Sequence, residues 1–327
     1  MKFILLLSVL IAFLATLFVT PWMIKYLKNI GVEVKDQHKE GKPLIPVSGG
    51  MAVFLGIFFG VMFALFIETF YYGAVEWEVP LLAFTASLFA ITFVGFFDDM
   101  LIRKNKETSI GLKQWQKPLL TVVAAVPLMV INAGHSVISL PIFGAVDVGL
   151  LYPLLLVPIG VVGASNMVNL WAGFNGLEAG LGMIYLGNLG LYAWFLGEYV
   201  AALIAIISCA ALLAFLVFNY SPARIFPGDS LTYLLGGVLV SVAILGNIEK
   251  AALIVSIPFF IEFILKLRGR LKKQSYGYWY KGKVKSFYKN IYSLPHIFTR
   301  TGKFTEREVV FLMYCIELFF CCLIWVI

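Results

Sequence analysis

Apolar runs of about twenty residues, the length needed to cross a bilayer as a helix, repeat along nearly the whole chain between short polar stretches. The pattern predicts ten spans: 3–24, 49–70, 80–97, 118–133, 150–167, 177–195, 199–219, 230–247, 250–267 and 308–327. The first run, Phe3 to Val19, is long for the core of a cleaved leader. Thr20-Pro21-Trp22 also lacks the small residues of a cleavage site, so this run reads as a retained span. Between spans four and five, residues 135–149 alternate around a Pro/Gly-containing turn and predict a small β-hairpin.

Composition agrees with that pattern. Of 327 residues, 61% are hydrophobic and 13% charged, against about 25% charged in a soluble domain. The fold class is an all-α polytopic membrane protein, one domain over 1–327 with no room for a soluble one. Cys209, Cys315, Cys321 and Cys322 lie in apolar runs without a C-x-x-C pair and read as buried, inert thiols. All but Lys2 and Lys250 of the 25 lysines and arginines follow odd-numbered spans. The positive-inside rule therefore turns the loops near 25–48, 98–117, 166–177, 220–229 and 268–307 to the cytoplasm. Both termini and the hairpin face outside. The stretch 268–307 interleaves bases with aromatics such as Tyr276, Trp279 and Tyr288. Beside membrane spans that mixture suits headgroup anchoring and anionic lipid better than nucleic acid.

Polar residues concentrate at the same face. Ser165 to Gly180 carries Asn166, Asn169, Asn175 and Glu178 between two apolar runs, where an unpaired amide costs about 2–7 kcal/mol. Asn166 and Asn169 share a helix face. Asp98 and Asp99 close span three, where adjacent carboxylates oppose the helix dipole and each other unless a cation offsets them. Lys113 and Lys117 open span four, either meeting an anion or snorkelling. Phe226-Pro227-Gly228-Asp229 precedes span eight, with Asp229 placed either as a helix cap or in a phosphate-binding loop. Asp98, Asp99, Asn169 and Asp229 make an all-oxygen ligand set, which favours Mg²⁺ or Mn²⁺ over zinc. Bases such as Lys117, His296 and Arg300 would neutralise phosphates, and the whole suggests phosphoryl transfer to or from a lipid.

In order and spacing these motifs resemble the polyprenyl-phosphate N-acetylhexosamine-1-phosphate transferases. Asn166-x-x-Asn169 with Ala172-Gly173-x-Asn175-Gly176-Leu177-Glu178 is similar to the dolichyl-phosphate branch, where the bacterial branch carries D-G-x-D-G. Asp98-Asp99, Gln116-Lys117 and Phe226-x-Gly228-Asp229 match further family motifs, and Lys39 to Pro43 with Gly49-Gly50 resembles its first loop. The resemblance implies transfer of GlcNAc-1-phosphate from UDP-GlcNAc to a polyprenyl (dolichyl) phosphate, with release of UMP. By the same resemblance, Asn169 and Asp229 would hold Mg²⁺, Asp98 would hold or deprotonate the lipid phosphate, and Asp99 would support the metal or its waters. Lys117 would contact the pyrophosphate, Phe226 would stack on uracil, and Gly173 and Asn175 would meet the base edge through backbone groups. Asn166 completes the substrate-binding set. His296 and Arg300 are assigned to the amino sugar and phosphates, although Leu294 to Arg300 has neither the bacterial histidine run nor the dolichyl Arg-His-Arg.

A one-step in-line attack and a two-step route through an aspartyl-phosphate both stay open, as does a homodimer. The setting expected is a cell membrane, or the endoplasmic reticulum if eukaryotic, with the active site cytoplasmic. Two alternatives remain: the same chemistry on another UDP-sugar such as UDP-MurNAc-pentapeptide, and a transporter. A transporter would place charge near the bilayer midplane, whereas here it gathers at one face.

Overall fold

The apolar runs are helices in the computed structural model, which describes residues 2–73, 76–101, 111–113, 115–132, 136–140 and 144–326. In chain order they are α1 (Lys2–Asn29), α2 (Gly50–Phe70), α3 (Glu78–Leu101), α4 (Gln116–Thr121), α5 (Val126–Ile131), α6 (Val157–Leu170) and α7 (Leu177–Leu196). Then follow α8 (Tyr199–Asn219), α9 (Gly228–Leu245), α10 (Glu249–Val255), α11 (Ile257–Arg268), α12 (His296–Thr299) and α13 (Glu306–Leu323). Among the described residues seven helices are long and apolar enough to cross a membrane: α1, α2, α3, α6 extended back to Tyr152, α7, α8 and α9.

Two predicted spans are broken, and proline accounts for both. The fourth is the pair α4 and α5, joined by a 3-10 turn over Val122–Ala125, with Pro127 in the first turn of α5. The ninth divides at Ser256 into α10 and α11, with Pro258 in the first turn of α11. Proline has no N–H to continue the ladder and its ring crowds the preceding turn. The tenth starts at Glu306, ahead of the predicted boundary, because Thr305 and Glu308 form a reciprocal capping box there.

The core runs through the centre of the bundle. In its most apolar stretch α9 is 78% buried and α8 67%, while α1 is 28% buried and lies at the rim. Helix α9 packs on α3, α6 and α8, and α7 packs between α8 and α13. Large apolar side chains such as Phe18, Phe66 and Phe195 point outward, as a surface solvated by lipid permits.

Three short antiparallel pairs decorate the helices. β1 (Glu33–Lys35) pairs with β2 (Leu44–Pro46), β3 (Val137–Leu140) with β4 (Gly144–Asp147), and β5 (Tyr278–Tyr280) with β6 (Lys283–Lys285). The middle pair lies in the stretch where the hairpin was expected; His135 and residues 141–143 of it are outside the described residues. So are Arg103, Lys104, Ile110 and Gln114 from the loop between α3 and α4. The ends of α3 and α6 meet the starts of α4, α7 and α9 at one end of the bundle, and the polar motifs assemble there.

Candidate active site

Lys117, in the first turn of α4, links two acids that are far apart in sequence. Its Nζ lies 2.7 Å from Asp98 Oδ2 and donates to Asp229 Oδ2 at 2.6 Å. The Asp98 contact is an ion pair outside hydrogen-bond angles; Asp98 Oδ1 instead accepts from the Leu112 N–H. Asn169 Nδ2 donates to the same Asp229 oxygen at 3.2 Å. Asp98, Lys117, Asn169 and Asp229 thus form one cluster.

Asp99 reaches that cluster indirectly. Fully buried, it accepts from the Asp229 N–H at 2.8 Å on Oδ1 and from the Ser230 N–H at 3.1 Å on Oδ2. It therefore occupies the free donors at the start of α9, a favourable place for a carboxylate. Two glycines make this approach possible. Gly228 has φ +72°, where a side chain is strained, and a Cβ on it would strike the Asp99 carboxylate. A Cβ on Gly95 would run into the Asp229–Ser230 backbone.

The first loop braces the same turn, a role that no motif disclosed. Phe226 N–H donates to Pro46 O at 2.7 Å, and Gly49 N–H and Gly50 N–H donate to Phe226 O at 2.9 Å and Pro227 O at 3.1 Å. The resulting cleft, ≈ 400 Å³, is lined by Asp99, Lys117, Asn169, Gly173, Asn175, Phe226 and Asp229 together with Asp36, His38 and Tyr276. An apolar groove of ≈ 770 Å³ adjoins it between α6, α9, α10 and α11. Lys117, Asn169, Leu170 and Leu271 line both spaces.

Several expected residues take other positions. Asn166 lines the groove, not the cleft, and its amide donates to Val162 O of its own helix at 2.8 Å. Gly173 and Asn175 reach the cleft, but their N–H groups are already used, on Glu178 Oε1 at 2.7 Å and Glu306 Oε1 at 2.9 Å. Arg300 is exposed and does not line the cleft. Nor does His296: its ring is fully buried, with Nδ1 accepting from the Tyr292 N–H at 3.2 Å and Nε2 donating to Gln274 O at 3.1 Å.

Burial, with Lys266 nearby, pushes the His296 pKa down from 6.5 to about 4. The unfolded chain takes up this proton near its ordinary pKa and the folded ring only near 4. Its contribution to stability is therefore whole above pH 6.5 and falls away as the pH drops toward 4. A His296→Gln variant should lose less melting temperature than the wild type over that interval in detergent. Equal losses would relieve His296 of that role.

Sequence reasoning missed Glu306, Asp36 and His38. Glu306 Oε1 meets His38 Nδ1 at 2.9 Å, and Oε2 accepts from Lys39 Nζ at 2.5 Å and Ser221 Oγ at 3.0 Å. Burial favours the neutral acid, yet the His38 and Lys39 hydrogen bonds outweigh it and bring the Glu306 pKa down to about 2. The capping signature Thr305-x-x-Glu308 was readable and would have placed Glu306 in a first helical turn. Asp36, His38 and Glu306 lie close enough to share an ion, but their donor atoms are occupied by one another and by neighbouring groups.

The main cluster fits a hard divalent cation better. Asp98 and Asp229 converge on a single ammonium, Asp99 stands behind them on the Asp229 backbone N–H, and the carboxylates and the Asn169 carbonyl offer oxygen alone. With Asn169 using its amide nitrogen on Asp229, its carbonyl oxygen has no partner among the described residues.

Comparison with known proteins supplies the context. Residues 81–247 match glycosyl transferase family 4. A protein of Saccharolobus solfataricus named UDP-N-acetylglucosamine–dolichyl-phosphate N-acetylglucosaminephosphotransferase is 34% identical, covering 96% of this chain and 94% of its own length. A protein of the same name from Sulfolobus acidocaldarius is 33% identical, covering 96% and 93%. The phospho-N-acetylmuramoyl-pentapeptide-transferase of Oceanobacillus iheyensis is also 33% identical, but covers 79% of this chain and 80% of its own length.

Proposed function

The chain belongs to glycosyl transferase family 4, and from that membership and its cleft we infer that it transfers GlcNAc-1-phosphate from UDP-GlcNAc to a dolichyl-type polyprenyl phosphate. The products are polyprenyl-diphospho-GlcNAc and UMP. One observation carries this reading: Lys117 and Asn169 line both the polar cleft and the apolar groove. A water-soluble nucleotide sugar and an acceptor with a hydrocarbon tail would each find a matching surface, and their phosphates would meet at the shared wall.

In the reaction an oxygen of the lipid phosphate attacks the β-phosphorus. The bond from that phosphorus to the bridging oxygen breaks, and UMP leaves with the oxygen. A phosphate anion needs little activation, so positioning and charge neutralisation supply most of the rate. Lys117, held between Asp98 and Asp229, is aimed at the phosphates. Asp98, away from the cleft wall, sets that aim and leaves the nucleophile to act unassisted. Asn169 and Asp229 are the residues that would hold Mg²⁺, with Mn²⁺ as substitute, and the ion would neutralise charge on the diphosphate. Phe226 offers its ring to the base. In the bilayer the ten-span arrangement, with both termini outside, puts the cleft at the cytoplasmic face, as the loop bases favour.

UDP-MurNAc-pentapeptide is the second donor considered. Asn175, in place of the aspartate of that branch, and the fuller length match to the two archaeal relatives favour UDP-GlcNAc.

Purified protein given Mg²⁺, dolichyl phosphate and a panel of UDP-sugars should release UMP with UDP-GlcNAc and stop when the ion is chelated. A lipid product carrying another sugar would redirect the assignment, and no product from any donor would end it. The groove has its own test. Gly163 lines it, and a Cβ there meets nothing within 4 Å. Gly163→Phe should raise KM for dolichyl phosphate several-fold and leave KM for UDP-GlcNAc alone. Equal effects on both would take the acceptor out of the groove.

A further inference from the structure

Asn175 sits in the cleft wall at 3% exposure with every donor committed. Its backbone N–H donates to Glu306 Oε1 at 2.9 Å, and its Nδ2 donates to Asp36 Oδ2 at 2.9 Å and Glu306 Oε2 at 3.3 Å. Two carboxylates thus decide which way the amide lies, because the reverse orientation would set its oxygen against two other oxygens. The Asn175 Oδ1 lone pairs have no partner among the described residues.

Nearby donors are used as well. The His38 N–H donates to Asp36 Oδ1 at 2.9 Å and the Gly173 N–H to Glu178 Oε1 at 2.7 Å. The carboxylates are themselves held. Gly277 N–H donates to His38 Nε2 at 3.2 Å, which leaves Nδ1 to donate to Glu306. The His38 ring stacks on Phe174 at 4.5 Å, so the frame is rigid. This part of the wall offers an acceptor.

We propose that Asp36 and Glu306 are positioning residues for base selection. By holding the Asn175 amide with its oxygen available, they make the cleft prefer a nucleoside diphosphate whose base carries a ring N–H, as uracil does at N3. Cytosine has a lone pair at N3, and oxygen facing that lone pair is repulsive. Its exocyclic amine reaches Asn175 only if the base slides, which draws the phosphates away from Lys117. The proposal rests on the reading that the cleft takes a uridine nucleotide. Loss of one such hydrogen bond discriminates by on the order of ten- to a hundredfold.

The test is competition of UDP and CDP against UDP-GlcNAc on the full-length protein in Mg²⁺-containing detergent buffer. The wild type should prefer UDP by about tenfold or more. Asp36→Asn keeps an acceptor for the His38 N–H but turns an NH₂ toward Asn175 Nδ2, so the Asn175 amide reverses. The UDP-over-CDP preference should then fall about tenfold, with the loss appearing in KM more than in kcat. Glu306→Gln should move the ratio the same way, and Asn175→Ala should abolish the preference even if the other variants fold poorly. A ratio unchanged in the variants, equal weakening of UDP and CDP, or a wild type indifferent to the base overturns the proposal and leaves the transferase standing. A wild type that binds neither nucleotide overturns both.

Discussion

Asp229→Asn lowers kcat/KM for UMP release from UDP-GlcNAc by about 100- to 1000-fold, the range for removing one preorganised charged group from a polar site. Asp229 Oδ2 receives both Lys117 at 2.6 Å and Asn169 at 3.2 Å, so neutralising it loosens two groups at once. Lys117 would keep Asp98 but lose the partner that directs it toward the cleft. A divalent ion would lose a charged ligand, and raising Mg²⁺ should recover only part of the rate. The substitution preserves side-chain size at a half-buried position in the first turn of α9. The melting temperature in detergent should therefore move little. UMP release measured beside a thermal melt separates the two effects, and full activity would remove Asp229 from the mechanism.

Asp99→Asn should cost about 10- to 100-fold in the same assay, as loss of an orienting partner behind a ligand does. Unlike Asp229→Asn, it should also lower the melting temperature. Both Asp99 oxygens accept backbone N–H groups at the start of α9. An asparagine offers one oxygen and turns an NH₂ toward the other donor. One buried N–H is then left unsatisfied, at about 1–3 kcal/mol, and the turn carrying Asp229 relaxes. If Asp99 instead supported the ion directly, as the motif alone suggested, the variant would change the preference between Mg²⁺ and Mn²⁺ at unchanged stability. The two outcomes are opposite in the melt.

The difference between those readings of Asp99 shows where sequence stops. That Asp98, Lys117, Asn169 and Asp229 belong together was legible, because acids, amides and bases at one membrane face imply partners. Which atoms pair was not. Asp99 carries the same residue type as its neighbour, and only the approach of α9, permitted by Gly95 and Gly228, gives its oxygens to backbone. His296 was legible as a titratable group in a basic loop, yet packing buries it with both nitrogens engaged. Nothing within a few residues marks Asp36, and the capping signature beside Glu306 marks a helix start without revealing the acid's partners. Their partner Asn175 lies 139 residues from Asp36 and 131 from Glu306.

The sequence by itself determined that the chain is helical and built for a bilayer, and which residues could carry chemistry. Hydrophobic length, proline position and motif spacing act within one segment, and a linear reading captures them. Only the tertiary structure decided that α4 and α11 flank one groove, that the first loop and the start of α13 hold Asn175 in the cleft wall, and which carboxylate faces which donor. Those outcomes depend on side-chain contacts across more than a hundred residues, fixed by how helices pack.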